Sequence, residues 1–141
     1  MAYLLAHAGA LAARHSDDAL RPYALTTRQY GLLSQLDLEP ELTMTELARQ
    51  LDVTRQTLHG MIGALENAGY LVRAPGATGR TRRLALTPLA VRSLPRLRRA
   101  LEDAEQEFFD GVSPAAVDAL RRLLRATLAH TTDDESWLPD A

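Results

Sequence analysis

The sequence predicts a mainly α-helical fold that carries one small two-stranded β-hairpin. Three observations predict it. Apolar residues recur at helical spacing through most of the chain. Two of those segments open with Thr-x-x-Gln or Thr-x-x-Glu, the spacing of a capping box. A single stretch, "YLVRAPGATGRTRRLALT", switches to period two around a loop rich in Pro, Gly and Thr.

Residues 2–14 place Leu4, Leu5, Ala8, Leu11 and Ala12 on one side of a first helix, and Pro22 lies just beyond its expected end. Asp17 and Asp18 read as a turn. A second helix follows in "LTTRQYGLLSQL", with Thr26 and Gln29 as its capping box and Tyr30, Leu32, Leu33 and Leu36 as its apolar positions, and Pro40 stops it. "LTMTELARQLDV" repeats the pattern with Thr43 and Glu46, and turns Leu47, Ala48 and Leu51 inward. After Asp52 to Thr54 comes "TRQTLHGMIGALENAGYL", with Thr54 as N-cap, a stripe of Leu58, Met61, Ile62 and Leu65, and Gly69 placed to end the helix in a left-handed turn. Strands are expected over Tyr70 to Arg73 and Arg82 to Thr87. From Pro88 the helical period returns through about Phe109, with Pro95 expected to kink or open it. Ser113 and Pro114 open a last helix whose stripe is Val117, Leu120, Leu123, Leu124 and Leu128. "TTDDESWLPDA" reads as a tail.

At 141 residues, 46% hydrophobic, the chain fits one domain with a real core. It has no Cys, which excludes disulfides, thiolate metal sites and Cys nucleophiles within it. No apolar run reaches the roughly 18–20 residues of a membrane span. The start, "MAYLLAHAGALAARHS", mimics a signal peptide, but no Lys or Arg precedes its apolar part, so a cytoplasmic protein is expected. Net charge is −2, yet its distribution is uneven. From Asn67 to Leu101 there is no Asp or Glu, while Arg73, Arg80, Arg82, Arg83, Arg92, Arg96, Arg98 and Arg99 fall in that span. A globally acidic chain can still present a basic face, and phosphate binding depends on the local face. The competing reading is that these arginines are simply solvated. Lys is absent and Arg takes its place throughout, a bias that genome base composition alone would also produce.

Two short capped helices joined by about three residues and followed by a hairpin are the outline of a winged helix-turn-helix. In that geometry the N-terminal part of the second helix enters the DNA major groove. Its exposed side chains are then Arg55, Gln56, Thr57 and His59, behind the cap Thr54. Arg bridges two acceptors on guanine, Gln pairs with adenine, and Thr meets a thymine methyl or a phosphate. Thr43 and Thr45, opening the preceding helix, join the expected interface. Thr57 equally serves the first turn, and an exposed His59 is commonly just solvated. Gly60 and Gly63 sit inside the helix, where each costs about 1 kcal/mol relative to Ala. Gly60 shares the groove side with Gln56; it either admits the backbone close to DNA or is tolerated in a helix held by packing, and both readings stay open. Arg80 stands at the wing tip, where an Arg can enter a minor groove. Arg82 and Arg83 point to opposite faces of the strand, so one is expected on phosphate and the other on an acid elsewhere.

Over roughly residues 3 to 130 the chain resembles the MarR family of bacterial transcription regulators. The matches are "LTTRQYGLLSQL", "MTELARQLDVTRQTLHGMIGALENAGYLVR" and "GRTRRLALTP". The resemblance implies a homodimer whose first and last helices are exchanged into a shared helical base, a recognition helix at 54–67 and a wing at 71–86. It implies a pocket for a small aromatic or phenolic effector between base and DNA-binding lobe, with Tyr3, His7, Tyr23 and Tyr30 as candidate lining residues, although core Tyr and surface His are the commoner roles. A ligand entering between the first, second and fifth helices would then shift the spacing of the two lobes. Arg80 matches the family's wing Arg. Thr78 stands where many relatives carry an Asp that positions that Arg, and Gly60 and Gly63 stand where relatives often carry longer polar residues.

The expected organisation is an N-terminal dimerisation helix and connector (1–25), a winged helix-turn-helix lobe (26–87), C-terminal dimerisation helices (88–130) and an acidic tail (131–141). Leucine stripes on both terminal helices independently call for a partner. The expected function is a ligand-responsive regulator, acting as a repressor, that binds double-stranded DNA as a homodimer at a near-palindromic site with half-sites about one helical turn apart. No cofactor, metal or membrane partner is expected. Neither is catalysis: His7, His15, His59 and His130 fall in separate elements without metal-ligand spacing, and no phosphate loop or nucleophile elbow is present. The alternative is a winged-helix interaction or dimerisation module that binds no DNA, since fold does not fix function.

Overall fold

The computed structural model describes residues 1–76 and 82–131. Among them are six α-helices, one 3-10 turn and a two-stranded antiparallel sheet. The order is α1 (Ala2–Leu20), the 3-10 turn (Arg21–Tyr23), α2 (Thr27–Leu38), α3 (Met44–Gln50), α4 (Arg55–Asn67), β1 (Leu71–Pro75), β2 (Arg82–Leu86), α5 (Pro88–Phe108) and α6 (Pro114–Thr131). The tail from residue 132, with Trp137 and Leu138, lies outside the described residues.

The helix starts are built as the sequence signals. Thr26 accepts from the Gln29 N–H at 3.2 Å while the Gln29 side chain accepts from the Thr26 N–H at 2.9 Å. Thr43 and Glu46 make the same reciprocal pair at 3.2 and 2.8 Å. Each box satisfies two of the donors that a helix leaves orphaned. α4 ends as Gly69 predicts, at φ 83°. The Gly69 N–H donates to Glu66 O and the Tyr70 N–H to Leu65 O, the paired bonds of a Schellman cap. Tyr70 is thereby spent on the cap, so β1 begins one residue later than expected and runs on to Pro75. Thr87 closes the hairpin base: its N–H donates to Tyr70 O, its hydroxyl to Gly69 O at 2.6 Å, and it caps α5 through the Ala90 N–H.

The largest difference from expectation is the length of α1. It continues through Asp17 and Asp18 to Leu20, so the paired acids are helical and form no turn. Both carboxylates find partners that reward the helix. Asp18 pairs with Arg21 one turn on, and Asp17 accepts from Thr27 at the start of α2. Pro22 still marks the exit, now within the 3-10 turn. α5 remains assigned as one α-helix across Pro95. Ser113 caps α6 through the Ala116 N–H at 3.3 Å.

The core is a leucine cluster contributed by every part of the lobe. Leu32 and Leu33 from α2, Leu47 from α3, Leu58, Ile62 and Leu65 from α4, Leu71 from β1 and Leu94 and Leu97 from α5 are almost wholly buried. Leu20, the last residue of α1, joins them. Each fully buried side chain of this kind contributes about 1.5–3 kcal/mol relative to exposure. By contrast, α6 buries none of its residues, and the outer half of α1 exposes Tyr3, Leu4, Leu5 and Leu11.

Candidate nucleic-acid interface

α4 is oriented by its apolar stripe. With Leu58, Ile62 and Leu65 fully buried, the helical period puts Gln56, Gly60 and Asn67 on the opposite side. All of Thr54, Arg55, Gln56, Thr57, His59 and Gly60 are exposed. The turn that delivers them passes through Asp52 at φ 51° and is pinned by the Val53 N–H donating to Ala48 O at 3.0 Å. Val53 packs on the core, so the angle between α3 and α4 is fixed by both packing and backbone bonding.

The first turn of α4 divides its labour. The Thr54 hydroxyl accepts from the Thr57 N–H at 3.1 Å and donates to the Thr57 hydroxyl at 2.9 Å. Thr57 therefore does serve the turn, and its own hydroxyl proton remains available to an outside acceptor. Arg55, Gln56 and His59 make no hydrogen bond or ion pair among the described residues, so their polar ends are unspent. At the start of α3, both functions of the Thr43 hydroxyl are committed to Glu46, while Thr45 is exposed. Gly60 and Gly63 have nothing within 4 Å of where a Cβ would stand, and neither has a positive φ. Nothing within the chain requires glycine at these two positions.

The hairpin flanks this helix. β1 and β2 pair antiparallel from Leu71↔Leu86 to Pro75↔Arg82. Arg83 forms an ion pair with Glu41 in the α2–α3 loop, and Arg73 reaches Glu66 of α4 at 3.2 Å. Arg83 of β2 thus pairs with an acid, as one of Arg82 and Arg83 was expected to. Arg82 opens β2, but its side chain, the wing tip with Thr78 and Arg80, and the whole of 77–81 lie outside the described residues. Arg92, Arg96 and Arg99 are exposed on the side of α5 away from Ala90, Leu94 and Leu97, so these members of the acid-free span are solvated.

The candidate effector residues fall in two places. Tyr3 and His7 stack in the first turns of α1, with ring centroids 5.8 Å apart and 4° between planes. Tyr23 and Tyr30 pack against the lobe core, and the Tyr70 hydroxyl donates to Tyr23 O at 3.4 Å. About 25 Å of helix lies between Tyr3 and Leu20, so within one chain the four do not line a common pocket. An open cavity of about 670 Å³ lies instead at the α5–α6 elbow, beside Glu102, Glu105, Phe109, Val117, Asp118 and Arg121. There the Arg121 guanidinium donates to Glu105 at 2.7 Å, and that bond and the Glu105 charge hold it above its ordinary pKa, helped by Asp118. Among the described residues no group of three or more His, Asp or Glu could hold a metal, and no helix is long and apolar enough to cross a membrane.

Sequence reasoning missed Asp17 and His15. Asp17 Oδ1 accepts from both the N–H and the hydroxyl of Thr27, each at 2.7 Å. His15 Nε2 lies 3.6 Å from a Glu107 carboxylate oxygen, with its ring 6.0 Å from that of Phe108. Neither follows a local spacing rule, because each partner sits on another helix.

Residues 25–81 match the model of the MarR family. An uncharacterized HTH-type transcriptional regulator of Bacillus cereus is 32% identical over 97 residues, covering 69% of this chain and 65% of that protein. An HTH-type transcriptional repressor of Mycobacterium bovis is 35% identical over 88 residues, 62% of this chain and 63% of that protein. The chain therefore spans a little under two thirds of the length of these curated relatives. Among solved structures, a MarR family protein of Mycobacterium tuberculosis in complex with p-aminosalicylic acid superposes with a TM-score of 0.75 at 26% identity, over 90% of this chain and 97% of that one. The matched segment contains the whole of α2, α3, α4 and β1, the elements that bear the unspent polar side chains of α4, and the likeness of fold runs through the flanking helices. Over residues 25–81 the chain is similar to the MarR family, and its fold is that of MarR family proteins.

Proposed function

We propose that the chain is a ligand-responsive transcription regulator that binds double-stranded DNA as a homodimer and represses. The observation that carries this reading is the first turn of α4: Arg55 and Gln56 stand exposed and unspent, directly outside a helix whose other face is locked into the core by Leu58 and Ile62. Arg is the commonest reader of guanine and Gln pairs with adenine, both in the major groove. Thr54, Thr57, Thr45 and Thr43 lie where they would meet phosphates, by hydroxyl or by helix N-terminus, and Arg80 and Arg82 would follow the adjoining groove. His59 and Gly60 face the same duplex, with Gly60 giving the backbone room to approach. Repression is supported by the name of the Mycobacterium bovis relative.

The homodimer is supported by apolar surface that one chain leaves uncovered: Leu123 at 66% exposure on α6 and Leu4 at 67% on α1. A second copy is the partner that gives two recognition helices in two-fold register, matching a near-palindromic site. Effector binding is supported by the p-aminosalicylic acid complex of the relative. Tyr23 and Tyr30 would line such a site from the lobe; Tyr3 and His7, at the far end of α1, would join it only from the second copy.

The test is binding of the full chain to the DNA flanking its own gene, measured across a salt series. A DNA reader loses affinity steeply as salt rises, in proportion to its phosphate contacts. Flat or absent salt dependence would favour an interaction module that uses the same fold without DNA. Calorimetry with small aromatic acids, with and without operator, tests the effector: a ligand that binds and weakens DNA binding supports it, and equal DNA affinity in every case removes it.

A further inference from the structure

We propose that Asp17 is a positioning residue that fixes the angle at which the DNA-binding lobe leaves the helical base, by gripping the first turn of α2 through Thr27. This rests on the reading of the chain as a DNA-binding dimer.

The connection between base and lobe is short and strained. α1 enters the lobe at Leu20, which is fully buried, and the chain then turns through Arg21–Tyr23. Ala24 closes that turn at φ 56°, in the left-handed region. A residue with a Cβ persists there only when surrounding contacts over-determine it. One such contact is Leu25, buried in the core. The other is Asp17, one turn before the end of α1. A single carboxylate oxygen, Oδ1, takes the Thr27 N–H and the Thr27 hydroxyl, both at 2.7 Å. Thr27 is the first residue of α2, so the anion also sits at the positive end of that helix. Short bonds to an ionised acceptor are the strong ones. α2's own N-cap, Thr26, serves Gln29, which leaves the Thr27 N–H to a donor-seeking group from elsewhere; that group is supplied by α1.

The neighbouring turn of α1 reaches the other way. His15, two residues before Asp17, faces Glu107 and Phe108 of α5. The last turns of α1 therefore hold α2 on one side and α5 on the other. α2 carries Leu32, Leu33 and Leu36 of the core on which α3 and α4 are built, so its angle to α1 sets where α4 points. In a two-fold dimer that angle is counted twice in the separation of the recognition helices, and half-site spacing on DNA must match that separation.

The experiment uses the full chain with Ala64, exposed on α4, replaced by a spin-labelled cysteine; the chain has no other cysteine. Pulsed dipolar spectroscopy of the DNA-free protein then reads the distance between the two lobes. The proposal expects a narrow distribution in the parent that broadens or shifts in Asp17→Ala, a partial effect in Thr27→Val, and parental behaviour in Thr27→Ser, which keeps both donors. It also expects the parent to prefer one half-site spacing by about fivefold or more, the lower end of ordinary linkage between sites, and Asp17→Ala to lose most of that preference. Ala24→Gly, which relieves the turn and leaves the grip, should keep it. An Asp17→Ala protein that only melts earlier, with distance distribution and spacing preference intact, overturns the proposal and leaves Asp17 a stability residue. If Asp17→Ala does not fold, the Thr27→Val and Thr27→Ser pair decides by the same readouts. Absence of any inter-copy distance also overturns it. Failure of the parent to bind DNA would instead sink the functional reading, while the distance measurement still decides what Asp17 does.

Discussion

The winged-helix lobe and the terminal helices solve the same problem in opposite ways. Both carry leucine stripes at helical spacing. In the lobe, α2, α3, α4 and β1 bury theirs against one another and against the first half of α5, and Leu32, Leu33, Leu47, Leu58 and Ile62 lose all contact with solvent. In α6 the corresponding Leu120, Leu123 and Leu124 remain open, as do Leu4 and Leu5 of α1. An amphipathic helix is stable in water only when something covers its apolar face. The difference teaches that the lobe covers its own apolar surface, while the terminal helices leave theirs open within one chain. Regulators that must keep a rigid reader and yet change the spacing of two readers have reason to divide themselves in this way.

The contrast can be broken from the lobe side first. Leu58→Ala or Leu47→Ala should cost about 2–5 kcal/mol of stability, since each removes a fully buried side chain from a packed cluster. Chemical denaturation followed by circular dichroism checks it, and a loss below about 1 kcal/mol would show that the lobe core is looser than drawn. Next is the reader itself. Arg55→Ala should cost about 1–3 kcal/mol of operator affinity and relax discrimination at one base position, with little change in melting temperature. Binding to a panel of single-base operator variants reads this directly. From the base side, Leu123→Ala should leave the lobe's spectral signature intact and weaken self-association. Sedimentation velocity across a concentration series should show the dimer giving way to monomer at higher concentration than in the parent. Gly60→Ala sharpens the comparison within one helix. It should stabilise the protein by up to about 1 kcal/mol, because nothing in the chain opposes a Cβ there, and should weaken DNA binding. Stability and affinity moving in the same direction would return Gly60 to a neutral role. The smallest effect is expected for Arg83→Ala. Its pair with Glu41 is solvent-accessible, so the loss should stay within about 1 kcal/mol and shrink further in high salt.

Where a signal is local, the sequence carries it. Both capping boxes, the Schellman glycine at 69 and the inward stripe of α4 can be read from spacing alone, because the partners lie within a few residues of one another. The end of α1 cannot. Two adjacent aspartates four residues before Pro22 read as a turn, and only the arrival of Thr27 from ten residues away makes Asp17 worth keeping in a helix. The same holds for the arginines. The acid-free span identifies a basic segment, but spacing cannot say that Arg73 and Arg83 are taken by Glu66 and Glu41 while Arg92, Arg96 and Arg99 face water. The exposed face of α4 was legible because its core stripe dictates which residues are left outside. The effector residues were not, because aromatic side chains on separate helices carry no spacing rule, and the four named lie at two ends of α1.

The most direct test of the central claim is a methylation-interference footprint on operator DNA bound by the full chain. Methylation of guanine N7 blocks the acceptor that an arginine such as Arg55 would use in the major groove. The account predicts two clusters of interfering guanines, about one helical turn apart and related by the symmetry of the site, both weakened in Arg55→Ala. A single cluster, or interference indifferent to Arg55, would contradict it.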